Sequence, residues 1–126
     1  MFRALIVVVL LFTTGVSVWL FQEKRASVAI AKMMLVDIEH SADVLALLEK
    51  DESSFKSSAQ PLLYHAFFVI NQLSAMKFDL DDVDVKRLAG ICYVHRKMNV
   101  WSNSDDVVFV NSKAYLSKEG VENKCN

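Results

Sequence analysis

The sequence predicts an all-α protein: an N-terminal transmembrane helix followed by a small three- to four-helix domain stapled by a disulfide. Three observations predict it. Among 126 residues, 53% are apolar while only three are Gly and one is Pro, a composition poor in turn formers and suited to helices. Residues 4–21, ALIVVVLLFTTGVSVWLF, pass without a charge. The only two cysteines, Cys92 and Cys125, both lie beyond that run.

The apolar run comes first. Inside a bilayer the backbone must bond to itself, so a spanning segment is a helix, and about 17–25 residues cross the hydrocarbon. Trp19 and Phe21 close the run and Lys24 and Arg25 follow it, which marks these four as membrane-interface residues. Segment 1–21 therefore reads as a signal-anchor, in contact with membrane lipid. A cleaved signal is the alternative. Arg3 and the amino group would form its positive end, and Gly15-Val16-Ser17 offers small residues for a cut. That cut would leave Val18-Trp19-Leu20-Phe21 exposed at the new terminus, so retention is expected over a secreted or periplasmic form.

Residues 22–126 make the expected domain. Lys24, Arg25 and Lys32 follow the run and outnumber the positive groups ahead of it, which leans against export. A very short leading tail and an even cysteine count favour export, and the domain is placed on the extracytoplasmic side. A Cys92–Cys125 bridge, spanning 33 residues, would contribute about 3–4 kcal/mol by chain entropy.

Within the domain, residues 22–50 read as a helix. Ile30, Ala31, Met34, Leu35, Ile38, Ala42, Leu45 and Leu48 share one stripe, and Lys32, Glu39, Asp43 and Lys50 form a narrow solvated edge. Val36, Val44 and Leu47 flank that edge. Residues 51–60 are rich in Ser and charge and read as a loop, with Pro61 opening the next helix. That helix, 62–78, places Leu62, Ala66, Val69, Leu73 and Met76 on one face, with Tyr64, Phe67, Phe68 and Phe78 pointing away. Asp79, Asp81 or Asp82 caps a third helix, with Asp84 in its first turn. It runs to about Lys97 with Val85, Leu88, Ala89, Cys92 and His95 on one side, and Gly90 marks a kink or a close helix contact. Residues 99–104 read as a turn. For 105–117 a helix capped by Ser102 or Ser104 competes with a strand, because Val107-Val108-Phe109-Val110 has strand propensity. Gly120 fits a stop, and Cys125 would staple the tail to the third helix.

Chemistry is sparse. Arg3 is one of fourteen Lys and Arg, against fifteen Asp and Glu, so the chain beyond the run carries −2. That charge argues against nucleic acid as a partner. The acidic stretch 79–84 fails the EF-hand pattern, since its fifth position is Val83, its sixth Asp84 and its twelfth Gly90. His40, His65 and His95 stand on separate helices without a local second ligand. His40 is expected packed or interfacial, His65 satisfied on the second helix, and His95 near the end of the third. No nucleophile elbow, C-x-x-C or phosphate-cradling loop occurs. No catalytic, cofactor or metal residue is assigned. What remains is surplus apolar helix surface, and it points to a non-enzymatic interaction module: an accessory, assembly or inhibitory subunit that meets a protein partner or a second copy. A small extracytoplasmic sensor or ligand-binding domain is the alternative.

Overall fold

The computed structural model describes residues 2–50, 52–101 and 106–126, and the side chains of 9–50, 59–100 and 106–126. These residues form helices α1 (Phe2–Leu48), α2 (Glu52–Ala75), α3 (Val85–Trp101), α4 (Val107–Lys118) and α5 (Val121–Lys124). No strand occurs among the described residues. By its contacts the chain divides into two units, residues 1–30 and 31–126.

The first unit is the leading part of α1. From Val9 to Phe21 its large apolar side chains are exposed. The hydroxyls of Thr13, Thr14 and Ser17 donate back to the carbonyls of Val9, Leu10 and Thr13 at 3.0, 2.8 and 2.7 Å, so their polarity is spent within the helix. Among the described residues no helix is long and apolar enough to cross a membrane. The side chains of residues 4–8, where the uncharged run begins, lie outside the described ones.

The second unit is a helical bundle. From Ala31 onward α1 buries Ala31, Leu35, Ile38, Ala42 and Leu45, the three-and-four spacing of a core-facing stripe. Ile30, expected on that stripe, is exposed. Glu39 does not belong to a solvated edge. It is tucked against α3, where Lys86 Nζ lies 3.0 Å and Arg87 Nε 4.0 Å from its carboxylate, and this contact raises the Lys86 pKa.

Helix α2 begins earlier than expected, at Glu52, so residues 52–60 are helical and Pro61 lies inside the helix. Pro61 is exposed, which puts its missing backbone bond on the solvent side, where it is tolerated best. Asp51, the first residue of the expected loop, lies outside the described residues. Phe67 does not point away from the core; it is 1% exposed and buried with Leu63, Ala66, Ile70 and Leu73. The reason is that α2 is central. It packs chiefly on α4 and also meets α3, while His65 reaches Asp37 of α1 at 2.8 Å. A helix covered from several sides has no single apolar face. The fully buried Ser112 of α4 locks this packing by donating to the Phe67 carbonyl at 2.9 Å.

Helix α2 ends on Lys77, whose φ of 54° is left-handed. The N–H groups of Lys77 and Phe78 close back on Ser74 and Leu73 at 3.0 and 3.2 Å, a Schellman-type stop with Lys where glycine is usual. Asp84 is itself the cap of α3, accepting the Arg87 N–H at 2.9 Å, and is not a first-turn residue. Asp79 instead accepts the Asp81 N–H at 3.1 Å, a bond that lowers its carboxyl pKa.

Helix α3 is rotated from its expected setting. Cys92 and His95 of the expected side are buried, but Val85 is 86% exposed and Ala89 is exposed as well, while Gly90, Ile91, Val94 and Met98 complete the inward face. Gly90 is responsible: a Cβ built there would stand 2.9 Å from Glu39 Cα and 3.6 Å from Ala42 Cβ. Its bare backbone therefore lies against α1, a close approach that only glycine permits. The helix also continues to Trp101, through part of the expected turn 99–104; residues 102–104 lie outside the described ones.

Residues 107–118 are helix, not strand. Asp106 caps α4 by accepting the Val108 N–H at 2.8 Å; Ser102 and Ser104, the expected caps, lie outside the described residues. Tyr115, buried, donates to the Phe78 carbonyl at 2.5 Å, and burial pushes its phenol pKa well up. Gly120 stops α4 at φ 65°. The turn then buries Val121 and brings Cys125 Sγ to 2.02 Å from Cys92 Sγ, with Cα atoms 5.4 Å apart. The expected staple joins the tail to α3.

Candidate interaction surface

The second unit keeps a filled core and still leaves large apolar side chains outside. On α1 these are Met33, Val36 and Leu47, on α2 Tyr64 and Phe68, and on α4 Val107 and Val110. Scattered singly they would need no explanation. Their placement is not scattered. The Asp37–His65 hydrogen bond fastens α1 to α2; Met33 lies one turn before Asp37, Val36 beside it, and Tyr64 and Phe68 flank His65. The edge of the Tyr64 ring meets Phe109 of α4 at 5.8 Å between centroids, and Phe109 meets Phe67 at 4.5 Å. Exposed apolar groups thus stand on three helices, which are tied together by the Asp37–His65 bond and by the contacts of Phe109 with Tyr64 and Phe67.

A cleft of about 120 Å³ opens beside these rings, lined by Gln60, Leu63, Tyr64, Phe67 and Phe109. Four of its five lining side chains are apolar or aromatic. It is small, suited to one inserted side chain, and aromatic walls give such an anchor the packing that dominates interface energies. The Asp37–His65 pair on this face is half-exposed.

The residues singled out from sequence fall into three places. Cys92, in the middle of α3, is joined to Cys125 of the tail. Trp19, Phe21, Lys24 and Arg25 lie on α1 in the first unit, with the rings of Trp19 and Phe21 exposed and the Arg25 guanidinium stacked 4.4 Å above the Phe21 ring. The histidines do not converge: His40 is exposed, His65 holds Asp37, and His95 is 8% exposed on the inner face of α3 with Glu122 4.0 Å away. Among the described residues no three His, Cys, Asp or Glu side chains gather where they could hold a metal ion.

Sequence reasoning set Tyr64 and Phe68 apart but did not join them to α1 or α4. It missed the polar ties that position the surface. Asp37 and His65 are 28 residues apart, and only the antiparallel pairing of two helices brings them together. Glu49, Tyr93 and Lys97 form a similar tie: Glu49 accepts from the Tyr93 hydroxyl at 2.5 Å and from the Lys97 ammonium, which fixes the end of α1 to α3. The Asp106 cap had a local signal, an Asp directly before an apolar run. Comparison of the chain with protein-family models, with curated proteins and with solved structures returns no match in any of the three.

Proposed function

We propose that this chain is a membrane-anchored, non-enzymatic protein-interaction module, an accessory, assembly or inhibitory subunit whose helical domain stands on the extracytoplasmic side. The observation that carries the reading is the apolar surface of Met33, Val36, Tyr64, Phe68 and Val110 on a domain whose core is already filled. Burying such surface against a partner is the most direct source of binding free energy, about 25 cal/mol per Å² before the costs of association. The anchor rests on the uncharged run from Ala4 to Phe21, supported by internally bonded Thr and Ser hydroxyls and by the interfacial set Trp19, Phe21, Lys24 and Arg25. Export rests on the cysteine pair, which survives in an oxidising compartment.

Two measurements test it. A photo-crosslinking residue at Phe68, in the full chain in native membranes, should capture one discrete protein band, while the same residue at Lys118 captures none. Protease added to sealed cells or spheroplasts should digest the domain. Recovery of uncrosslinked chain from both positions would end the partner reading, and protection of the domain in sealed cells would end the export reading.

A further inference from the structure

The side of α1 turned away from the core carries a pattern of its own. At about 3.6 residues per turn, the positions opposite the buried stripe of Ala31, Leu35, Ile38, Ala42 and Leu45 are Met33, Val36, His40, Asp43 and Leu47. Met33 is 72%, Val36 46% and Leu47 64% exposed, and His40 and Asp43 are exposed as well. Their spacing is three, four, three and four. That is the a/d repeat of a coiled coil, a narrower seam than the stripe a helix turns to a bundle core. A seam of this shape is covered by one more helix.

The charges on the seam say which helix. A partner must offer an acid near His40 and a donor near Asp43, between two apolar layers. A second copy offers both. In a parallel pair each a-position side chain packs into a hole that includes the following d position of the other helix, so His40 lies against Asp43 of the second copy, twice over. Asp43 also meets its own counterpart in its layer, a repulsion that the two neighbouring imidazoles offset. Such a polar layer costs stability and fixes register. Lys32 and Asp37 hold the flanking g and e positions, from which parallel helices exchange ion pairs. Met33, Val36 and Leu47 meet their own counterparts. The seam is therefore complementary to itself, as a two-fold interface requires.

The seam is short, and α1 ends at Leu48. So few turns are marginal between free chains. Two chains held in one membrane meet at a raised effective concentration, which favours the pair without any further contact.

We propose that the protein partner of this domain is a second copy of the same chain, paired in parallel along the outer face of α1, with Met33, Val36 and Leu47 as apolar layers and His40 with Asp43 as the polar one. The proposal rests on the membrane-anchored reading, because two chains that leave one bilayer on the same side enter their domains in the same direction.

The test uses two differently tagged forms of the full chain, expressed together in native membranes. With Leu47→Cys in both, mild oxidation should give a covalent dimer that bears both tags, and Val36→Cys should do the same. Ser117→Cys, exposed on α4 away from the seam, should not. His40→Asp, at an exposed position, should lower the Leu47→Cys dimer yield about tenfold by placing like charges together. Adding Asp43→His should restore it, which a merely damaged fold would not. Chains that stay monomeric at both seam positions overturn the proposal, as does a yield that Ser117→Cys equals or that His40→Asp leaves unchanged. A cross-link formed only between a Val36→Cys copy and a Leu47→Cys copy overturns the parallel setting. Capture of a different protein at Phe68, with the seam monomeric, overturns the second copy and leaves the interaction-module reading standing; capture of nothing at Phe68 as well ends both.

Discussion

Helix α1 is one continuous helix with two physical regimes. From Val9 to Ile30 its apolar side chains are exposed around the helix; from Ala31 on, they alternate between a buried stripe and an open face. Between Val9 and Ile30 burial has no period, because every described side chain there is exposed. The second is periodic because α2 and α3 cover one side. The difference teaches that apolarity alone does not make a core. What commits Leu35 and Ile38 to the interior is the presence of partners: the Asp37–His65 bond, the Glu39 ion pairs with Lys86 and Arg87, and the bare backbone of Gly90.

The sharpest way to break the comparison is to remove the same ring from each regime. Phe67→Ala, in the core, should lower unfolding free energy by about 3–5 kcal/mol in urea titrations. Phe12→Ala, at a position 73% exposed, should change it by no more than about 0.5 kcal/mol while weakening retention on lipid vesicles. Equal effects would mean the two regimes are not distinct.

Reducing the Cys92–Cys125 bond comes next, at about 3–4 kcal/mol, read as a fall in the denaturation midpoint with dithiothreitol. Gly90→Val should cost about 2–3 kcal/mol, because its side chain meets the Glu39 backbone. A neutral result there would mean the second part of α1 is held by something other than α3.

Tyr115→Phe should cost about 1 kcal/mol by orphaning the Phe78 carbonyl. Its wild-type stabilisation also has a pH window. The folded pKa lies above the ordinary 10.0, so the protonated phenol favours the folded state. That contribution is complete below pH 10, and declines as pH rises above it toward the folded value. A midpoint indifferent to pH between 9 and 11 in wild type would contradict this. The smallest effect is a gain: Lys77→Gly should raise stability by about 0.5–1 kcal/mol through relief of the left-handed backbone.

The sequence carried the fold class well and the faces of its helices unevenly. Periodicity found Leu35, Ile38, Ala42 and Leu45 because α1 buries one stripe. It misplaced Phe67 because α2 buries several. On α3 it placed Cys92 and His95 but not Val85 and Ala89, because the closest contact is made by Gly90, which a hydrophobic wheel does not weight. Pro61 suggested a helix start, since a proline within a helix is tolerated only where the lost bond faces water. Of the candidate surface, the individual rings were legible and the tie between α1 and α2 was not, because Asp37 and His65 carry no local pattern. The left-handed backbone of Lys77 was invisible, because only the built turn at the end of α2 reveals it.

The staple between Cys92 and Cys125 makes the last quarter of the chain a closed ring. A protease that severs any peptide bond between Tyr93 and Lys124 opens that ring without releasing a fragment, and the two pieces still migrate together on a gel until reductant is added. The chain can therefore be nicked there and remain a single covalent molecule.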